Sequence, residues 1–243
     1  NQSNERWAIP LKLRAGKKSS HLFDKRKTTL TIPKNAPWVN ANVGAIGMYR
    51  TKYDTASLMA LGSAVNGGHL STAEKVRLVN DLFSLAFSDQ GSVTDALTFL
   101  TTLKDETSYP VWSTVCAELG KLRTLVEGSR AENTFNRFVA TLLAPIHEKL
   151  DWSAKPREKH TDALIRGLIT HALVSARNEQ TLKTCRLHFK AHEKGSRLAP
   201  DLRPAVYAAV AKTEKHAVRT LTKHYEHEEM HAEKNRLLVA LGQ

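Results

Sequence analysis

The segment His227-Glu228-Glu229-Met230-His231 fits the pattern H-E-x-x-H. On a continuous helix, histidines four apart share a face and can grip zinc, and the glutamate beside the first serves as general base toward a metal-bound water. The surroundings speak against that chemistry here. A catalytic zinc takes three protein ligands, and its histidines are fixed by an ordered shell of hydrogen bonds. Glu226, Glu229, Glu233 and Lys234 instead make this stretch a solvated turn entering a helix at Glu233. With eleven histidines in the chain, a chance match is unsurprising. A weak adventitious metal contact through His224, His227 and His231 is the most the segment is expected to offer.

Other chemistry is thin. Gly67-Gly68 lacks the lysine-serine ending and the strand context of a phosphate loop and reads as a turn. No serine stands in a nucleophile-elbow sequence, and Cys116 and Cys185 have no histidine partnership visible in the sequence. Two isolated thiols in apolar-periodic segments make neither a disulfide framework nor a metal site, which points to a reducing, cytoplasmic setting. No catalytic, cofactor-binding or metal-ligating residue is assigned.

The elements that must position any site fall into two parts. Residues 1–54 are punctuated by Gly, Pro and Asn between short strand-like runs: Trp7 to Leu13, Thr28 to Ile32, Trp38-Val39 and Met48 to Tyr53. So few strands leave edges unpaired, and further strands are expected upstream. From Thr55 to residue 243 the period is helical. Ser71-Thr72-Ala73-Glu74 is a capping box, followed by Val76, Val79, Phe83 and Ala86 on one face, and Ser92 with Asp95 marks a second start. Tyr109-Pro110 reads as a break.

Residues 131–150 give the cleanest stripe: Phe135, Phe138, Val139, Leu142, Ile146 and Leu150 on one side, with Asn136, Arg137 and Lys149 facing away. Pro145 is expected to bend or restart this helix. Further helices are expected from Leu164 to Leu173, Leu182 to Phe189, Ala205 to Tyr225 and Glu233 to Leu241. The fold class is mainly α: a small β-sandwich remnant followed by paired helices stacked as an α-solenoid of HEAT or armadillo type, with a compact all-helical domain as the competing arrangement.

A net charge of +12 raises nucleic acid, an acidic protein or an anionic membrane as partners. Apart from Lys17-Lys18 and Lys25-Arg26-Lys27, however, the cations alternate with glutamate along helical faces. Nucleic acid is therefore not the expected partner. No apolar run approaches the roughly 20 residues of a spanning helix, and Asn1 to Arg14 has no signal-like core.

Trp38, Asn42, Gly47, Tyr49, Arg50 and Tyr53 keep the spacing of a junction that resembles the one between the β-sandwich and helical domains of the gluzincin aminopeptidases, the puromycin-sensitive and aminopeptidase N type. Trp7-x-Ile9-Pro10-Leu11 resembles the start of that β-sandwich. Downstream, Asp81-x-Phe83-x-Leu85-Ala86, Glu106-x-x-Tyr109-x-x-Trp112, Leu150-x-Trp152 and Pro200-Asp201-Leu202-Arg203-x-x-Val206-Tyr207 are similar to stretches of the family's helical C-terminal domain, in order.

The resemblance implies that residues 1–54 end a β-sandwich and residues 55–243 form a truncated C-terminal helical domain. It implies no catalytic centre in the chain: the family's zinc helix precedes the junction, whereas His227 follows it, and Gly-x-Met-Glu-Asn is absent. Zinc is then expected in a catalytic domain supplied by the same polypeptide. The helical domain is expected to cap that active site, bind peptide and restrict its length, with basic side chains attracting a peptide carboxylate. The competing reading is a basic α-solenoid that binds an acidic protein or nucleic acid.

Overall fold

A computed structural model describes residues 7–242 of the chain; the first six residues of the expected β segment, and Gln243, lie outside them. Among the described residues the fold is mainly α, with ten α-helices and one two-stranded sheet. The chain divides into two compact units, one ending at Glu106 and the other beginning at Thr107.

In the first unit, Ile9–Ala15 (β1) and Lys17–Phe23 (β2) pair antiparallel, with Ala15 opposite Lys17 and Ile9 opposite Phe23. Gly16 makes the turn at φ +72°, a backbone angle glycine adopts without a Cβ penalty. The remaining expected strands do not form: 28–32, 38–39 and 48–53 are irregular, and only Arg14 and Asn40 make an isolated bridge. β-Branched and aromatic residues favour strands only when a neighbour offers a ladder, and in the last of these runs side chains take up the Tyr49 carbonyl and the Thr51 amide instead. The helices are Thr55–Asn66 (α1), Thr72–Phe87 (α2) and Val93–Leu100 (α3). Their apolar faces bury Leu58, Leu61, Val79, Phe83, Phe99 and Leu100. Ser71 and Glu74 close the expected capping box, and Ser92 accepts from the Asp95 amide.

The second unit holds Tyr109–Val126 (α4), Glu132–Leu150 (α5), His160–Ser175 (α6), Glu179–Glu193 (α7), Arg203–Thr213 (α8), Ala217–His227 (α9) and His231–Leu241 (α10). α4, α6, α8 and α10 pack on one another in succession, while α5, α7 and α9 form a second row against them.

Several boundaries differ from expectation. Tyr109-Pro110 starts a helix rather than breaking one, because proline in the first turn gives up only an amide that has no partner there. Pro145 sits on an exposed position of α5, and the helix continues through it. The expected helix from Ala205 to Tyr225 is two, interrupted after Thr213. Asn136, expected on the outer face of α5, is buried. Gly167 lets α6 approach the turn before α8: a Cβ there would stand 2.2 Å from the Asp201 carbonyl oxygen.

Candidate functional site

The junction residues Trp38, Asn42, Gly47, Tyr49, Arg50 and Tyr53 belong to a polar network in the first unit. Asn42 is buried and pairs with the Gly47 peptide in both directions, its Nδ2 donating to the carbonyl at 3.0 Å and its Oδ1 accepting from the amide at 2.9 Å. It thereby closes the 42–47 loop as a strand partner would. Gly47 allows no side chain, since a Cβ would fall 2.1 Å from the Tyr49 ring. Two tyrosines satisfy the next peptide: the Tyr49 hydroxyl donates to the Ala41 carbonyl at 2.7 Å, and the Ala41 amide donates to the Tyr53 hydroxyl at 2.9 Å. The expected strand from Met48 to Tyr53 is absent, yet the Tyr49 and Tyr53 hydroxyls converge on one residue.

Glu74 ties this loop to α2. Its Oε1 accepts from Asn40 Nδ2 at 2.8 Å and from the Gly44 amide at 3.0 Å, while Oε2 accepts from the Ser71 amide and hydroxyl. Burial alone would raise its pKa, but these donors outweigh it and hold the carboxyl below the usual range. About two turns further along α2, Asp81 accepts from the Thr51 amide at 3.0 Å and pairs with Arg77 at 2.9 Å, and Arg77 also donates to the Tyr49 carbonyl. The Arg14 guanidinium lies 5.0 Å from the Trp38 ring centre, and Trp38 stacks on His69. Arg50 is exposed, and its charge reaches Asp81.

The network is built to hold a shape. Burial raises the Tyr49 hydroxyl and pushes that of Tyr53 up to about 12, so neither is a base at neutral pH. Glu74, Arg77 and Asp81 carry the arrangement, and sequence reasoning assigned them no such role. A carboxylate at position 81, embedded in the apolar face of a helix, was the available signal.

The H-E-x-x-H segment does not form a zinc helix. α9 ends at His227, α10 begins at His231, and Glu228 and Met230 have extended backbone between them. The two histidines therefore stand on different helices, and the i, i+4 face is lost. His227 Nδ1 donates to the Lys223 carbonyl at 2.7 Å, while the Glu228 carboxylate accepts from the amides of Glu229 and Met230. Among the described residues no three His, Cys, Asp or Glu side chains are placed to hold a metal ion, the suggested His224, His227 and His231 trio included. Glu233, which follows, is buried between Arg203 at 2.8 Å and Arg236 at 2.7 Å, so its carboxylate is committed to joining α8 and α10.

The thiols are held in their protonated form. Burial pushes both Cys116 and Cys185 up to about 12. Cys116 nonetheless faces a cleft of ≈ 340 Å³ between α4, α5 and α6, with Leu119, Phe135 and Val139 in its wall and Arg123 and His171 beside them. A second cleft of ≈ 400 Å³ lies where residues 151–159 join α5 to α6. Among the described residues no helix is long and apolar enough to cross a membrane.

Comparison with known proteins matches the sequence model of the ERAP1-like C-terminal domain to residues 38–243. The chain is 26% identical to Aminopeptidase M1-A of Oryza sativa subsp. japonica over 97% of its length and 29% of that protein's. Aminopeptidase M1-B of the same plant is 30% identical over 90% of the chain and 27% of its own length. The puromycin-sensitive aminopeptidase of Caenorhabditis elegans is 24% identical over 86% and 23%. The chain thus spans less than a third of the length of these curated relatives. The match begins at Trp38, the first residue of the junction network, so β1 and β2 fall outside the family model but inside the alignment with the first of these plant relatives.

Proposed function

Because this chain belongs to the ERAP1-like C-terminal domain family, we propose that it is the non-catalytic helical part of a zinc aminopeptidase that removes amino-terminal residues from peptides. The single observation carrying this reading is the family match over residues 38–243, which begins where the junction network fastens the leading segment to the helices. In this reading the two-row packing in the second unit is a stretch of α-solenoid. The domain caps an active site held by the preceding polypeptide, and its basic surface draws in peptide carboxylates and limits peptide length.

Zinc and the groups that activate water then belong to that preceding part, and the parent protein works in the cytoplasm. The residues of this chain contribute rigidity and enclosure: the junction ties the loop from Asn40 to Thr51 to α2, and the clefts of the second unit offer surface to a bound peptide. No proton transfer is assigned to any of them. Tyr53, Cys116 and Cys185 are held protonated, while Glu74 and Glu233 are engaged by fixed donors.

The test assays the purified 243-residue chain against aminoacyl reporter peptides, with metal content measured in parallel. It then repeats the assay on the parent enzyme with and without residues 55–243, across a series of peptide lengths. The expected result is no turnover and no stoichiometric zinc for the chain alone, and a changed length preference when the helices are removed. Robust zinc-dependent hydrolysis by the chain alone, abolished by Glu228→Gln, would overturn the reading.

A further inference from the structure

Residues 151–159 contribute Lys155, Glu158 and Lys159 to the ≈ 400 Å³ cleft, whose apolar wall includes Ile146, Leu150 and Ile165. This segment is fastened at two points of different chemistry. At one, Arg166 of α6 donates to the carbonyls of Leu150 at 3.1 Å and Asp151 at 2.8 Å and forms an ion pair with Glu158. A single guanidinium thereby gathers both ends of the segment.

At the other fastening, Trp152 is gripped between two helices. Its indole stacks on His188 of α7, with ring centres 5.2 Å apart and planes 30° apart. His147 of α5 meets it edge-on at 5.0 Å and 81°. Trp152 also packs against the buried cluster that contains Cys185, Phe189 and Tyr207. Nε2 of His147 is buried with no hydrogen-bond partner. A proton added there would bring a charge and a donor into a place that satisfies neither.

We propose that Trp152 is a proton-operated latch, holding residues 151–159 beside the cleft while His147 and His188 are neutral and releasing them when these rings take up protons. The charges around His147 are Glu148 on its own helix, Asp151 in the segment and Arg166 from α6; the carboxylates favour the imidazolium and the guanidinium opposes it, and burial outweighs them all. For His188 burial alone acts. Both rings are held below the ordinary value of 6.5, so the latched state binds fewer protons than the released one. Latching is therefore fully present above about pH 6.5 and is lost as the pH falls below it.

The Arg166 fastening responds differently. The hydrogen bonds from Arg166 keep Glu158 below the usual carboxylate range, so this ion pair survives in acid that opens the Trp152 end. The segment swings on Arg166 and stays attached.

The test follows Trp152 emission in the 243-residue chain as the difference between the wild type and Trp152→Phe, from pH 8 to pH 5. The expected difference signal loses intensity and shifts to longer wavelength with a midpoint below 6.5, at unchanged far-ultraviolet dichroism, and His147→Gln with His188→Gln removes the transition. A flat difference signal, a transition that survives in the double variant, or parallel loss of helix would each overturn the proposal. Should the double variant not fold, amide exchange in the wild type decides: protection of residues 151–159, corrected for intrinsic rate, falls at least threefold between pH 7.5 and 5.5, and equal protection refutes the latch.

Discussion

Replacing Gly167 by alanine sets two opposing effects against each other, and the steric one is at least as large. In the interior of a helix, alanine is favoured over glycine by about 0.8–1.0 kcal/mol, so the substitution would ordinarily stabilise α6. Here the new Cβ would stand 2.2 Å from the Asp201 carbonyl oxygen and 3.0 Å from its carbon, both backbone atoms that cannot rotate away. To reach ordinary contact, α6 and the turn before α8 must part by about 1 Å, and overpacking of that kind costs roughly 1–3 kcal/mol. Against the gain in helix propensity, the net loss is roughly 0–2 kcal/mol, a fall of up to about 8 °C in melting temperature for a chain of this size. Gly120→Ala in α4 is the matched control, because its Cβ would meet nothing within 4 Å. It should gain up to about 1 kcal/mol and melt roughly 2–4 °C higher. Calorimetry or thermal dichroism on both variants, reading the transition of the second unit, decides the matter. If Gly167→Ala is as stable as Gly120→Ala, the close approach of α6 to the Asp201 turn is wrong.

In the first unit, Asn42→Ala strands the Gly47 amide and carbonyl in a buried site and should cost about 2–4 kcal/mol in urea unfolding. Glu74→Gln should lose about 1–3 kcal/mol at pH 7. Because the Glu74 carboxyl is held below its unfolded value, its contribution is present above about pH 4.5 and disappears as the pH falls through the folded value; the gap between wild type and Glu74→Gln should therefore close in acid, and a gap that widens would contradict the sign. Cys116 and Cys185 should react with iodoacetamide at pH 8 at least about a hundredfold more slowly in the native chain than in urea, since little thiolate exists when the thiol sits near 12.

Much of the local structure was written in nearest-neighbour chemistry. The Ser71 capping box, the Ser92 start, the apolar stripe of α5 and the change from strand-like to helical periodicity at Thr55 depend on residues within one or two turns of each other, and all stand where the pattern places them. The spacing of Trp38, Asn42, Gly47, Tyr49 and Tyr53 likewise sufficed to identify the family. Periodicity could not say whether the β-branched run at Thr28 would pair, because a strand exists only where a partner supplies a ladder. Nor did it separate α8 from α9, since no glycine or proline marks the break, which falls inside the polar run Lys212 to His216.

The amino-acid order alone thus determined which segments are helical, where most of them begin, and which family the chain joins. Tertiary structure decided what the polar residues do. His227 and His231 satisfy a metal motif on paper, but the chain turns between them and spends Glu228 on two backbone amides. Asn136, drawn outward by its polarity, is buried. Glu74 joins Asn40 and Gly44 over separations of 34 and 30 residues. Helix and cap formation are short-range events encoded by spacing, whereas the partner of a buried polar group is chosen by whichever distant segment the packed helices bring within about 3 Å.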